Sequence, residues 1–356
     1  MFNAKSYNKI IFGFLIFFLF YNFLVWNFFV KDLIDPPKKF VAGELARLSY
    51  KSEFNVLKST KITLPKKHIE LSDYKNQKID VLTIGDSFSN ASASGTNPYY
   101  QDYLASYKNL AVLNIPLILD VENKSVLDVL IPLINNGFID KLKPKYIILE
   151  TVERSIGTYL AKDFDFSKNY EDHGNSFNTS NNAKEGKENF LKFINEANFR
   201  FLMFKIGYLF SDRPFNSSVY FADISQPLFS GKNPSKILFY DLDITYIKYN
   251  NKDRLNKVNN NLNKVAEILN KKNIKLYFIA VPDKFDLYYK YIKSNKYPKP
   301  RFFDDFNTLP KQYTYINGKE ILEKELQNGK KDVYWQDDTH WSNIGMNALV
   351  KNFVKY

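Results

Sequence analysis

The chain has 356 residues, of which 45% are hydrophobic and 25% are charged, and this balance excludes an intrinsically disordered protein. It contains no cysteine, which excludes disulfides and thiolate metal sites. Its formal net charge of +12 favours an anionic partner. Nucleic acid, phospholipid headgroups and polyanionic cell-wall polymers all meet that condition.

An apolar run at residues 10–30 is the first feature along the chain. Its length of about 20 residues suits a helix that crosses a bilayer, and only Asn22 and Asn27 interrupt it. The alternative is a cleaved signal peptide, which has a shorter apolar region and a small-residue cleavage site that this segment lacks. We therefore predict a membrane anchor at residues 1–35. Lysines lie on both sides of it, so the charge pattern gives no orientation.

A polar, Lys-rich stem is predicted at residues 36–77, and apolar, β-branched runs follow it. These runs predict buried strands at residues 78–87, 109–119, 144–154 and 274–282. Helical spacing of apolar residues predicts helices at residues 125–137, 190–210, 255–273 and after residue 342. Strands that alternate with helices predict a three-layer α/β domain with a central parallel sheet.

This domain is predicted to occupy residues 78–356, with an insertion at about 157–250. Within the insertion, residues 163–189 are rich in Asn, Ser, Lys and acidic residues and have no apolar periodicity. Such a composition is typical of a mobile, exposed loop.

The first predicted strand ends in Gly-Asp-Ser-Phe-Ser at residues 85–89. Parallel sheets place their active sites at the carboxyl ends of strands, so Ser87 is well placed for attack on a substrate. A serine hydroxyl becomes a good nucleophile once a neighbouring base removes its proton. Its own backbone amide is a candidate donor to an oxyanion. The same tripeptide also occurs in ordinary strand-end turns, so the motif needs a partner base.

The candidate base is His340, one of three histidines in the chain. His68 falls in the stem and His173 in the polar stretch, and both are expected to be solvated. His340 instead follows Asp337 and Asp338 and precedes the last predicted helix. A carboxylate near an imidazole fixes its tautomer and stabilises the imidazolium that forms during proton transfer.

Together these motifs resemble the SGNH (GDSL-type) hydrolase superfamily. The segments GDSFS, PKYIILETVER and DDTHWSNIG are similar to its alginate O-acetyltransferase-like branch and to peptidoglycan O-acetyltransferases. The resemblance covers about residues 78–356. It implies an exported acyl-transfer enzyme that is tethered to the membrane.

The resemblance implies which residues of this chain correspond to the catalytic residues of the family. Ser87 matches the nucleophile and His340 the base. Asp338 gives the D-T-H-W spacing of the alginate branch, whereas Asp337 gives the D-x-x-H spacing of the wider superfamily. We favour Asp338 as the triad acid and keep Asp337 as the alternative.

Three further residues are candidates for substrate or oxyanion contacts. Glu150 and Arg154 match an E-x-x-E-R-like element at a strand end, where a salt bridge is the alternative role. The glycine and the G-x-N-D motif that usually complete the oxyanion hole are missing from this sequence. Asn114 is the substitute donor that we predict.

The implied reaction is ping-pong transfer of an acetyl group to a cell-envelope polysaccharide, with peptidoglycan favoured over teichoic acid or a uronate polymer. A multi-spanning membrane-bound O-acyltransferase is the implied acetyl donor. The enzyme is expected in the cytoplasmic (inner) membrane, single-pass, with its catalytic domain on the periplasmic side. We expect no metal, no cofactor and no nucleic-acid partner. The alternatives are a carbohydrate acetylesterase, a teichoic-acid D-alanyl transfer protein and a non-catalytic carbohydrate-binding scaffold.

Overall fold

A computed structural model of the chain describes residues 4–34, 43–92, 95–117, 125–169 and 193–353. The strands in these residues are β1 (Ile69–Glu70), β2 (Val81–Gly85), β3 (Val112–Pro116), β4 (Tyr146–Val152), β5 (Val219–Asp223), β6 (Lys236–Tyr240), β7 (Lys275–Val281) and β8 (Thr314–Asn317). The helices are α1 (Ala4–Val25), α2 (Lys31–Ile34), α3 (Glu44–Ser49), α4 (Tyr100–Lys108), α5 (Val126–Asn135), α6 (Phe138–Leu142), α7 (Glu153–Ser155), α8 (Glu196–Gly207), α9 (Asp241–Thr245), α10 (Lys252–Asn270), α11 (Lys284–Tyr288), α12 (Phe302–Asn307), α13 (Gly318–Gln327) and α14 (Asn343–Phe353).

The predicted apolar runs form a central sheet with strand order β1-β3-β2-β4-β7-β8. Every pairing in it is parallel. Strands of such a sheet are buried on both faces, which is why they read as continuous apolar runs rather than as alternating patterns. The predicted α/β class with a parallel sheet is confirmed.

Helices cover both faces of this sheet and complete three layers. Alternate side chains of a strand point to opposite faces. Accordingly Val81 belongs to the apolar cluster that includes residues of α4, α13 and α14. Its neighbour Leu82 belongs to the cluster that includes residues of α5, α10 and α12. Burial of each large aliphatic side chain contributes about 1.5–3 kcal/mol, so two such clusters fix the layer order strongly.

The segment predicted as a stem packs against this domain from residue 43 onwards. Its strand β1 pairs with β3 through Ile69 and Leu113 and forms one edge of the central sheet, upstream of the boundary predicted at residue 78. Its helix α3 donates the Ala46 amide to the carbonyl of Asp337, at 3.1 Å. The described part of the stem therefore packs as part of the domain, through β1 and α3.

The expectation that His68 is a solvated surface residue is wrong. Its side chain is only 6% exposed and makes hydrogen bonds from Nδ1 to Asp102, at 2.7 Å, and from Nε2 to Glu70, at 2.8 Å. Burial alone would lower the pKa of His68, but these two carboxylates outweigh it and raise the pKa to about 9. The sequence suggested a solvated side chain because the residues around His68 are rich in lysine. Its hydrogen-bond partners in the fold are instead the carboxylates of Asp102 and Glu70. His173 lies outside the described residues.

His68 gives a testable pH dependence. A raised pKa means that the folded state holds the proton more tightly, so the stabilisation is complete below about pH 6.5 and is lost as the pH rises through about 9. We expect His68→Gln to lower the free energy of unfolding on the order of 3 kcal/mol at pH 6 and to have little effect above pH 9. Urea denaturation of both proteins at the two pH values measures this. A difference that does not change with pH would contradict it.

The predicted insertion contains an antiparallel hairpin and a helix. Strands β5 and β6 pair antiparallel in a second, two-stranded sheet. Helix α8 precedes them and confirms the predicted helix in its region. Most of the polar stretch predicted at residues 163–189 lies outside the described residues, which resume at residue 193.

The N-terminal apolar run is helical. Within the described residues, Ser6–Ile34 is the one helix that is long and apolar enough to cross a membrane. It comprises α1 from Ser6 onwards, a π-helical turn at Trp26–Val30 and α2. Length and composition suit either a single membrane span or a signal sequence.

Candidate active site

The Gly-Asp-Ser turn follows directly on β2, at the carboxyl edge of the central sheet. Asp86 holds the turn at this edge. Its Oδ1 accepts a hydrogen bond from the Phe88 amide, at 3.0 Å, and its Oδ2 accepts one from the Val152 amide of β4, at 2.8 Å. A Cβ at Gly85 would collide with the side chains of Ser89 and Glu150, so no larger residue fits there. These constraints hold Ser87 in a partly exposed position.

The structure brings Ser87, His340 and Asp338 together in one hydrogen-bonded chain. His340 Nε2 lies 2.8 Å from Ser87 Oγ, and His340 Nδ1 lies 2.6 Å from Asp338 Oδ1. The backbone amide of His340 also donates to Asp338 Oδ1, at 3.2 Å. The imidazole is therefore oriented by its own loop, with one ring nitrogen directed at the serine. This is the arrangement that general-base activation of a serine requires.

Asp337 has different partners. Its Oδ2 accepts a hydrogen bond from the amide of Gly43, at 2.8 Å. This bond links the start of α3 to the loop that carries His340, the histidine loop. Burial raises the pKa of Asp337 to about 6, against the opposing charge of Lys58. Of the two aspartates that the sequence leaves as candidates, Asp338 is the one in contact with His340.

Lys58, in the predicted stem, binds the far side of the Asp338 carboxylate. Its Nζ lies 2.9 Å from Asp338 Oδ2 and 3.7 Å from Asp337 Oδ1, and its side chain is 4% exposed. Burial alone would raise the pKa of Asp338, but the charges of Lys58 and His340 hold it well below its usual range. Sequence reasoning missed Lys58, since it is one of 50 basic residues and lies far from either motif.

We expect Lys58→Met to lower the free energy of unfolding by about 3 kcal/mol at neutral pH, because it leaves a buried carboxylate without its cation. A depressed carboxyl pKa stabilises the fold above the unfolded value of about 4, and this contribution is lost as the pH falls below it. The difference from wild type should therefore shrink below about pH 4.

Lys61 supplies the matched control, since it is exposed in the same segment. Lys61→Met should change the free energy of unfolding by less than about 0.5 kcal/mol. Equal effects of the two substitutions in urea denaturation would contradict the role assigned to Lys58.

A second buried lysine shapes the histidine loop. Lys284 Nζ donates to the carbonyls of Trp335, Gln336 and Asp338 at 2.7, 2.9 and 2.9 Å. Burial lowers the pKa of Lys284 to about 7. Three carbonyls around one ammonium fix the curvature of the loop and so the position of Asp338. This residue was also missed, because it looks in sequence like the first residue of an exposed helix.

Aromatic side chains enclose the imidazole. The ring of Phe88 lies 4.6 Å from that of His340, measured between centroids, and packs edge-on against Trp341 at 5.1 Å. The side chain of His340 is only 5% exposed as a result. A shielded imidazole exchanges protons chiefly with the serine and with whatever is bound next to it.

The predicted oxyanion donor Asn114 belongs to a buried polar network beneath the turn. Its Oδ1 accepts from Thr83 Oγ1 at 2.8 Å and from Gln101 Nε2 at 3.0 Å, and its Nδ2 donates to the Ser89 carbonyl at 3.3 Å. These contacts engage its amide within the protein. The structure does not bring Asn114 into contact with Ser87.

Glu150 belongs to the same network. Its Oε2 accepts from Ser89 Oγ at 2.7 Å, and no other described residue makes a hydrogen bond to its Oε1. Burial, together with the nearby charge of Asp86, raises the pKa of Glu150 well above its usual range. The Glu150 side chain therefore supports the nucleophile turn from below, through its contact with Ser89.

Arg154 lies at the end of β4 among acidic residues of neighbouring elements. It forms ion pairs with Asp283 and, at 3.4 Å, with Asp243. Burial opposes its charge, but these carboxylates raise its pKa above the ordinary value. This is the strand-end ion pair that the sequence left open as the alternative role.

Glu44, Asp338 and His340 place potential ligand atoms within 4.8 Å of one another. Asp338 and His340 are already bonded to each other, and the Lys58 ammonium on Asp338 opposes a second cation. Glu44 instead accepts from the hydroxyl of Thr339. This cluster is better suited to proton transfer than to holding a metal ion.

Residues 238–351 match the family described as an SGNH hydrolase-like domain, acetyltransferase AlgX. The matched segment contains Asp338 and His340, whereas Ser87 precedes it. No curated protein and no solved structure matches the chain. The match confirms the resemblance to the alginate O-acetyltransferase-like branch of the SGNH superfamily. It supports an enzyme of O-acetyltransferase type, with acyl-transfer or esterase chemistry.

Proposed function

We propose that this chain is a membrane-anchored enzyme that moves an acetyl group, through a seryl ester on Ser87, to hydroxyl groups of a cell-envelope polysaccharide. The observation that carries the proposal is the hydrogen-bonded chain Ser87–His340–Asp338 at the carboxyl edge of the sheet. The acetyltransferase family match over residues 238–351 supports it.

In the first half-reaction, His340 Nε2 accepts the Ser87 hydroxyl proton while Oγ attacks the acetyl carbonyl of the donor. The bond to the leaving group then breaks, and that group takes the proton from His340. In the second half-reaction, His340 removes the proton of a sugar hydroxyl, which attacks the seryl ester. Ser87 Oγ leaves with the proton and the free enzyme is restored.

Asp338 and its partners hold His340 in the tautomer that the reaction needs, with the proton on Nδ1. The Asp338 carboxylate accepts the Nδ1 proton of His340, so that Nε2 keeps a lone pair for the serine. Lys58 keeps this carboxylate ionised inside the protein. The developing oxyanion is assigned to the backbone amide of Ser87, since the side chain of Asn114 is engaged elsewhere.

We assign the class of acetyl acceptor from the net charge of the chain. A net charge of +12 favours an anionic glycan, of which peptidoglycan is the preferred candidate and teichoic acid or a uronate polymer the others. The acetyl group would come from a multi-spanning membrane-bound O-acyltransferase. Such a donor would explain the apolar N-terminal helix as an anchor that keeps the enzyme beside its supply of acetyl groups.

The test uses the full chain in detergent with p-nitrophenyl acetate as donor and with peptidoglycan fragments, teichoic acid or a uronate oligosaccharide as acceptor. We expect ester-linked acetyl groups on the peptidoglycan fragments by mass spectrometry, and none with Ser87→Ala. Free acetate as the sole product would identify an acetylesterase instead. Preference for a D-alanyl donor with teichoic acid would identify a D-alanyl transfer protein.

The site of action is proposed to lie on the periplasmic face of the cytoplasmic membrane, because the glycan acceptors are there. Alkaline phosphatase fused after Tyr356 should be active, and a reporter that works only in the cytoplasm should be inactive. An active cytoplasmic reporter would overturn this assignment.

A further inference from the structure

Helix α8 carries an apolar stripe that faces away from the protein. Phe199, Leu202, Met203 and Ile206 are 43%, 45%, 49% and 50% exposed, and Phe210 beyond the helix end is 86% exposed. Their spacing of three and four residues places them on one helix face. A surface helix of a water-soluble protein directs such a face to the core, so this stripe requires an apolar environment of its own.

The adjoining side of α8, together with Phe199 at the edge of the stripe, packs against the N-terminal apolar helix. Phe201 stacks on Phe29 with ring centroids 5.0 Å apart, and Phe199 contacts Tyr21 at 5.5 Å. The Tyr21 hydroxyl donates to the carbonyl of Asn198, at 2.9 Å. The two helices therefore form one unit over the second half of the apolar run.

A pair of asparagines determines where along α1 the helix α8 packs. Asn22, one of the two interruptions in the apolar run, is fully buried, and its Oδ1 accepts from Asn198 Nδ2 at 2.8 Å. Asn22 Nδ2 donates to the carbonyl of Phe18, at 2.9 Å. An amide inside a bilayer needs such partners, since lipid offers none. Asn22 lies about 18 Å along the helix from Ile34 at a rise of 1.5 Å per residue, so α8 begins well inside the apolar stretch.

We infer that α8 and the adjoining segment around Phe210 insert into the lipid bilayer beside α1, as a second membrane contact of the catalytic domain. The inference rests on the proposed anchor, since it places α8 at the depth of α1. It goes beyond the proposed reaction, which does not depend on α8.

Lipid is the occupant that the stripe favours. Its side chains are large, whereas interfaces between membrane-spanning helices are enriched in small residues. Phe199 of the stripe contacts Phe18 of α1, with ring centroids 6.1 Å apart, and α1 also exposes Phe20 and Phe23, at 58% and 52%. Arg200 and Lys205 of α8 pair with Glu196 at 3.5 Å and with Glu53 at 3.2 Å, so each cation beside the stripe has a carboxylate partner.

The same helix also contacts the segment that supports the triad. Phe204 stacks on Tyr50 with centroids 5.4 Å apart, and Lys205 Nζ lies 3.2 Å from Glu53. This segment continues to Lys58, which binds Asp338. Bilayer insertion of α8 would therefore hold the catalytic edge of the sheet at a fixed position relative to the membrane.

The test uses the full chain, whose lack of cysteine allows single-cysteine spin labels without other changes. Met203→Cys, Ile206→Cys and Phe210→Cys are labelled and reconstituted into vesicles of phosphatidylethanolamine and phosphatidylglycerol. Phe12→Cys in α1 is the control for lipid contact. Leu57→Cys is the matched control for an exposed apolar residue off the stripe, since Leu57 is 67% exposed.

We expect collisions of the stripe labels with a water-soluble nickel chelate to fall about tenfold below those of the Leu57 label, and to match those of the Phe12 label. Stripe labels as accessible as that of Leu57, with Phe12 protected, would overturn the inference and leave the proposed reaction untouched. Accessible labels at both Phe12 and the stripe would overturn it together with the anchor. Stripe labels accessible in pure lipid but protected in native membranes would assign the stripe to a protein partner instead.

Discussion

Replacement of Ser87 by alanine in the full chain is expected to lower kcat/KM for an aryl acetate by at least about 10³-fold. The substitution removes the atom that lies 2.8 Å from His340 Nε2, and the described surroundings of the turn otherwise stay intact. His340→Ala should cause a loss of the same order, because a triad acts as a unit and the two effects are not additive.

The control for this experiment is Ser92→Ala, an exposed serine of the same loop. It should keep activity within about twofold of wild type, since it loses only a surface hydroxyl. Activity of Ser87→Ala within about tenfold of wild type would contradict the assignment of the nucleophile. A loss as large in Ser92→Ala would show instead that the loop had been disturbed.

The second large effect separates the two aspartates. Asp338→Asn keeps the shape of the side chain but removes the charge that stabilises the imidazolium, so kcat is expected to fall by about 10⁴-fold. Asp337→Asn should stay within about tenfold of wild type, because Asp337 contacts Gly43 and Ala46 rather than His340. Its amide oxygen can still accept the Gly43 amide.

Steady-state kinetics of the two variants with the same acetyl ester measure this contrast. A larger loss at Asp337 would show that the D-x-x-H spacing of the wider superfamily applies. Small, equal losses would mean that His340 is oriented by another group. Circular dichroism of each variant excludes unfolding as the cause.

The sequence predicted the sheet and singled out the two ends of the hydrogen-bonded chain, Ser87 and His340, for definite physical reasons. Buried parallel strands leave continuous apolar runs, and such runs mark β2, β3, β4 and β7. Ser87 is recognisable because a strand ends abruptly in Gly-Asp-Ser. His340 stands out because it follows two aspartates and precedes a predicted helix, whereas His173, which also follows acidic residues, falls in the polar stretch.

The supports of the site could not be predicted in the same way. Lys58 and Asp338 are 280 residues apart, and nothing local to either one signals the contact. Lys284 acts through three carbonyls, which carry no sequence signature. Asn114 was expected at the oxyanion from its place in a strand, but the side chains that engage it come from two other elements. In each case the role of the residue depends on contacts with residues that are distant in the sequence.

The contact between the N-terminal helix and α8 could not be predicted from the sequence for a related reason. Asn22 looks like an imperfection in an apolar run, whereas in the structure it is a buried contact to α8. Its partner Asn198 belongs to the helix predicted at residues 190–210, and nothing local to either asparagine signals the contact. A polar residue in a candidate membrane segment is thus a reason to search the rest of the chain for its partner.

The most direct measurement of the central claim is to trap the acyl-enzyme. The full chain is mixed with p-nitrophenyl acetate, quenched in acid within one turnover, and digested for mass spectrometry. The account predicts one acetyl ester, on the peptide that contains Ser87, and its absence from Ser87→Ala. An ester on another residue, or labelling of Ser87→Ala equal to that of wild type, would contradict it.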